Sequence, residues 1–153
     1  MGKYLKYFNT ICIHKWYVFI ECVKLGITWQ GIVHDMSKFS LSEFIPSAKY
    51  YNGNGNDVEY QNAWLHHKGH NKHHWEYWVD WNSSTGEYLL SDIPIKYLKE
   101  IYADMIGASK AYNKWNFDNK EPLKYFIDKC KGWKIKDEDR YWLEFKLNEL
   151  AKK

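Results

Sequence analysis

The chain has 153 residues, 45% of them apolar and 19% aromatic, which suits one domain with its own core and excludes a disordered chain. Its 22 basic residues nearly balance its 19 acidic ones, for a net charge of +3, so no nucleic-acid footprint is expected. Three scattered cysteines, Cys12, Cys22 and Cys130, exclude a disulfide framework and a cysteine-based zinc finger and point to a reducing compartment.

Residues 3–25 read as a helix, with Leu5, Phe8, Cys12, Trp16, Phe19 and Val23 as its apolar face and Gly26 as its stop. Lys15, Glu21 and Lys24 interrupt that pattern, so neither a signal peptide nor a membrane span is expected, and the Met-Gly-Lys-Tyr-Leu-Lys start lacks the myristoylation pattern. The expectation is a soluble cytoplasmic protein. A second helix is predicted from Thr28 to Phe39. A third begins at Ser40, where Ser40-x-x-Glu43 reads as a capping box, and fades near Tyr51.

Asn52-Gly53-Asn54-Gly55-Asn56 is a loop. Asp57 is the expected cap of a helix through Trp64 and His67 that ends at Gly69. Asn71 is the expected cap of a further piece from Lys72 to Val79, and residues 80–91 read as a polar loop. Asp92 and Pro94 start a long helix to Tyr112 with Ile95, Leu98, Ile101, Tyr102, Met105 and Ile106 inside. Glu121–Cys130 forms a penultimate helix closed by Gly132. Asp137 caps the last helix, with Tyr141, Leu143, Phe145, Leu147 and Leu150. No sustained period-two alternation occurs, so the expected class is all-α, a single-domain helical bundle over 1–153.

All seven histidines lie between residues 14 and 74, five of them in His66-His67-Lys68-Gly69-His70-Asn71-Lys72-His73-His74. The segment is internal and flanked by Trp64 and Trp75, so it is neither a tag nor an ordinary solvated tract, and a metal site is the best reading. In one unbroken helix His66 and His73 would stand roughly 10 Å apart along the axis, too far to share an ion. A break at Lys68-Gly69 would let His66 or His67 face His73 and His74 across one site. His34-Asp35, read as a pair on a helix, offers an imidazole and a carboxylate that can bridge two ions. Asp104 sits mid-helix among Ile101, Met105 and Ala108, where a carboxylate is costly unless paired or metal-bound. His14 is a further helical candidate, and His70 reads as a supporting or surface residue.

The order His14, His34-Asp35, His66 or His67, His73-His74, Asp104 resembles the HD superfamily of metal phosphohydrolases, and in particular its HD-GYP branch. His34-Asp35-Met36-Ser37-Lys38 looks like that family's HD-x-G-K with Ser37 in place of Gly. His73-His74-Trp75-Glu76 looks like its HHE with one inserted residue. Ala103-Asp104-Met105-Ile106-Gly107-Ala108 looks like its aD-x-yDAl segment, and Ala111-Tyr112 falls where the branch has R-P-Y. The Gly-Tyr-Pro tripeptide is missing, and the single His stands much nearer the His-His pair, which argues against cyclic-di-GMP as substrate. The Trp64-Leu-His-His-Lys-Gly69 and His73-His-Trp-Glu-Tyr-Trp78 segments also resemble a group of bacterial and phage proteins with no assigned function.

The resemblance implies an HD-like helical domain holding one or two divalent transition metal ions (Mn, Fe, Zn or Co). The expected ligands are His14, His34, Asp35, His66, His67, His73, His74 and Asp104, with Asp35 bridging. A hydroxide formed between the ions would attack a phosphoester, with Lys38 and Lys68 on the phosphate. The expected partner is a small phosphorylated molecule, foremost a nucleotide or cyclic nucleotide. The alternatives are a mononuclear HD nucleotidase that needs neither His73 nor His74, and a non-catalytic metal- or ligand-binding helical protein.

Overall fold

In the computed structural model, which describes residues 2–153, Lys3–Lys24 forms α1. It ends at Gly26, whose φ of 71° lies in the left-handed region that favours glycine. The face it buries is not the expected one. Tyr7, Ile11, Val18 and Cys22 point inward, on the same stripe as His14. Leu5 and Trp16 stay 52% and 60% exposed, and Phe8 and Val23 are exposed too. Two apolar stripes run side by side on this helix, and spacing alone does not say which one meets the core. The outer stripe is covered only in part, by Ile32, Met36 and Phe39, with Phe8 edge-on to Phe39 at 5.9 Å.

The expected Thr28–Phe39 helix is broken. Thr28–Val33 forms a short α2, His34 turns extended, and Asp35 adopts left-handed φ 55°, ψ 21°. A 3₁₀ turn, Met36–Phe39, follows. Asp is among the few residues that visit this region as single residues. Lys15 reaches across from α1 and donates to the carbonyls of Ile32 (2.6 Å) and His34 (2.7 Å), which satisfies acceptors freed where the helix stops.

Helix α3 spans Leu41–Tyr50 and α4 spans Asp57–His70. Asn56, not Asp57, caps α4, accepting from the amides of Val58 and Glu59. Ser40 precedes α3, but it makes no side-chain cap, and Glu43 turns inward instead of back to the helix end. After α4 comes a 3₁₀ turn, Trp75–Trp78. The expected polar loop at 80–91 is mostly a hairpin, β1 Val79–Asn82 against β2 Glu87–Leu90, antiparallel with Val79 opposite Leu90. Four-residue strands are too short to show alternation, and the Trp81–Tyr88 pair at 5.0 Å supplies their cross-strand contact.

Helices α5 (Ile95–Asn113), α6 (Glu121–Lys129) and α7 (Asp137–Ala151) complete the chain. Cys130 belongs to a 3₁₀ turn with Gly132, and Asp137 is the first helical residue, not the cap. Helix α5 is the axis of the fold, packed by α1 on one side and by α6 and α7 on the other. Leu98, Ile101 and Met105 pack on Phe126, Ile135, Leu143 and Leu147, roofed by Trp75, Trp78, Trp133 and Trp142. Ala103 packs on Val18 and Cys22 of α1. Gly107 lets the two helices close up: a Cβ there would lie 2.5 Å from Val18 Cγ2 and 2.8 Å from Val18 N. The class is all-α with one small hairpin, and among the described residues no helix is long and apolar enough to cross a membrane.

Candidate metal centre

Four segments deliver the site. His14 comes from the middle of α1, Asp104 and Glu100 from one face of α5, one turn apart. The break after α2 supplies His34 and Asp35. In a continuous helix these neighbours would diverge by about 100°; with Asp35 left-handed, both are buried, each 1% exposed. The fourth segment is the end of α4 together with the turn at residues 71–74. The helix does not break at Lys68-Gly69 but runs to His70, and the chain turns at Asn71. The Asn71 side chain fixes that turn by donating to the His67 carbonyl (2.8 Å) and Ser37 Oγ (2.7 Å). His73 and His74 therefore lie in the turn before Trp75, not on a helix, and come back beside His67.

Asp35 stands between two groups of imidazoles and offers one oxygen to each. Its Oδ2 lies 3.4 Å from Nε2 of both His14 and His34. Those two nitrogens are 3.4 Å apart, and Asp104 Oδ1 is 3.1 Å from His14 and 3.6 Å from His34. Asp35 Oδ1 lies 3.3 Å from His67 Nε2 and 3.4 Å from His73 Nε2, and His74 completes this second group. An ion with bonds of about 2.0–2.1 Å in tetrahedral geometry holds its donors about 3.3–3.4 Å apart, so both groups have the right spacing.

Two glutamates hold the rings from behind. Glu100 Oε1 accepts from Nδ1 of His34 (3.0 Å) and of His73 (3.2 Å). Glu43 Oε2 accepts from His67 Nδ1 (2.9 Å) and from Ser37 Oγ (3.0 Å), and its Oε1 from His66 Nδ1 (2.6 Å). A neutral imidazole that donates through Nδ1 presents a lone pair at Nε2. As neutral rings, His34, His67 and His73 would thus turn their lone pairs toward the Asp35 carboxylate, an arrangement that calls for a cation, proton or metal, between them. Five buried side-chain polar atoms lack a hydrogen-bond partner among the described residues, and three belong here: Asp35 Oδ1, His67 Nε2 and His74 Nε2. Leaving such atoms unpaired costs about 1–3 kcal/mol each, more when charged. The donor set fits a divalent transition metal.

Without a metal, protons and Lys38 carry the positive charge. Burial opposes a charged His34, but Asp35, Asp104 and Glu100 outweigh it and raise this ring to about 10. Burial also opposes charge on His14 and His67; Asp104 and Asp35 raise His14, and Asp35 and Glu43 raise His67. His74 goes the other way: burial, then the neighbouring rings of His73 and His67, push it down to about 2. Burial works against the Asp35 carboxylate too, yet His34 and Lys38 hold it well below the usual range. Lys38 Nζ sits 2.5 Å from Asp35 Oδ2. The floor of the site is buried, while Lys38 and Asp104 keep 24% and 28% of their side chains exposed and mark its opening.

Of the expected site residues, His14, His34, Asp35, His67, His73, His74 and Asp104 converge, with Lys38 at the rim. His66 does not join them; it leans on Glu43 and stacks on His70 at 3.9 Å. Lys68 pairs with Glu76 at 3.3 Å and lies over the Trp64 ring, which in turn packs on His67 and His74. Glu43 and Glu100 were not expected. Glu100 precedes Asp104 by one turn on the apolar face of α5, and Glu43 precedes Ser47 by one turn, both buried; a carboxylate in such a register was the available signal.

The chain belongs to DUF5662, a family of unknown function whose model matches residues 3–149. No curated protein and no solved structure matches it.

Proposed function

We propose for this member of DUF5662 a metal-dependent phosphohydrolase of the HD type, acting on a nucleotide or cyclic nucleotide phosphoester. The observation that carries the reading is Asp35, one oxygen toward His14 and His34 and the other toward His67 and His73. A carboxylate so placed suits a bridge between two ions. The order of the converging residues along the chain supports it, because it resembles the HD-type order.

His14, His34, Asp104 and Asp35 would hold one ion, and Asp35, His67, His73 and His74 the other. Bound ions of this kind supply Lewis acidity and lower the pKa of water toward neutrality. The chain's own groups do the rest. Glu100 and Glu43 fix the rings so that Nε2 faces inward, which keeps the donors set before any ligand arrives. Burial of His34, Asp35, His67 and His73 excludes bulk water and strengthens each charge interaction. Lys38, at the opening, would meet a phosphate oxygen, and Lys68, paired with Glu76 beside Trp64, would be a more remote anion contact.

The test is metal analysis by mass spectrometry on untagged wild type and Asp35→Ala, followed by a phosphoester screen with the metal found. Bound transition metal and turnover, both lost in the variant, support the proposal. Metal without turnover of any phosphoester leaves a metal-binding protein that is not a phosphohydrolase.

A further inference from the structure

The two halves of the centre differ in how they stand without an ion. In the half made by His67, His73 and His74, Asp35 Oδ1, His67 Nε2 and His74 Nε2 are buried with no hydrogen-bond partner among the described residues. In the half made by His14, His34 and Asp104, the polar atoms already have company. His14 Nε2 is 3.1 Å from Asp104 Oδ1 and 3.4 Å from His34 Nε2, and the Lys38 ammonium sits on Asp35 Oδ2 at 2.5 Å. An ion entering the first half relieves unpaired atoms. One entering the second must remove a cation from the oxygen it would use, and then stand near another divalent charge.

Building on the metal-centre reading above, we infer that Lys38 keeps the His14/His34/Asp104 half closed to metal until an anion draws it off Asp35. The resting protein then carries one ion, on Asp35, His67, His73 and His74, and the second arrives together with phosphate. The lysine suits this role because its charge is compact and its stem flexible. Its partly exposed side chain, beside the equally open Asp104, lets an incoming phosphate exchange with the Asp35 carboxylate as its partner. The substrate's phosphate would thus help complete the centre, so the phosphoester group serves as the signal for full assembly.

The test is titration calorimetry with Mn²⁺ or Zn²⁺ on chelator-stripped, full-length protein, checked by metal analysis, with and without inorganic phosphate. Wild type should take one ion tightly alone and two with phosphate. Lys38→Met should take two without phosphate, its second ion bound on the order of tenfold tighter than in wild type, the scale of a charge-assisted hydrogen bond that no longer has to be broken. Adding His14→Ala to Lys38→Met should return the count to one, and His14→Ala alone should leave the wild-type first ion unchanged. Two ions of similar affinity in phosphate-free wild type would overturn the inference while leaving the metal centre intact. So would a second wild-type ion that ignores phosphate, which needs no variant to fold. Absence of metal from every protein would remove the metal reading itself.

Discussion

Helix α5 has two interiors. On one side Leu98, Ile101 and Met105 meet Phe126, Leu143 and Leu147 in a core of aliphatic and aromatic groups. On the other, Glu100 and Asp104 enter a nest of imidazoles around Asp35. The apolar side needs nothing from outside, since every group there gains by leaving water. The polar side is held by charge against charge, and its buried carboxylates and lone pairs depend on protons, on Lys38 or on an ion. One helix therefore separates a core that stabilises the fold from a cluster whose charges need a partner.

That contrast can be broken by substitution. The largest effect should come from Asp35→Ala, which removes the oxygens shared by both halves. Metal should be lost entirely, and with it the chelator-sensitive stability, about 4 kcal/mol for wild type when free ion is 1,000-fold above Kd. Melting curves with and without EDTA measure this, and a variant that still melts lower in EDTA would contradict it. Leu147→Ala should cost about 2–5 kcal/mol in denaturant unfolding but keep the wild-type metal count. A core variant that loses metal while still folded would show that the two interiors are coupled.

Glu100→Gln should keep the fold and weaken metal binding by about 10–100-fold, read by competition with a chromogenic chelator. Unchanged affinity would mean that the Nδ1 contacts to His34 and His73 do not orient those rings. The smallest effect concerns pH in the stripped protein. His34 is raised to about 10 in the folded chain, against about 6.5 when unfolded. Its contribution is fully present below the unfolded value and is lost as pH rises through about 10. The stripped protein should therefore melt lower at pH 10 than at pH 7, while protein loaded with two ions in the presence of phosphate, where an ion on His34 replaces that proton, should not share the loss. An equal shift in both forms would argue against this account.

Most of the candidate ligands were legible because histidine and aspartate in apolar surroundings demand a reason, and their order along the chain resembled a known arrangement. The geometry that unites them was less legible. His34-Asp35 reads as helical because Met36, Phe39 and Lys38 continue a helical pattern, and only the left-handed Asp35 reveals the break. Glu43 reads as a capping partner of Ser40, a local bond that the fold exchanges for a distant one to His67. The α1 face was misplaced for a similar reason: Phe8, Trp16 and Val23 have the right spacing, but the approach to α5 at Gly107 selects the stripe of Val18. Local pattern sets where helices form; partners from elsewhere in the chain decide which face they use.

The seam at Gly107 and Val18 also sets a sequence of events in time. His14 and Asp104 come from helices far apart in the chain, and they meet only when α1 has docked on α5 along that seam. Closing so long a loop is the slow part of building such a fold. Until that docking occurs the chain has no complete cage to offer an ion. Of the candidate ligands only His67, His73 and His74 stand close together in the sequence, so the two-sided cage is a product of the tertiary fold and of no local segment.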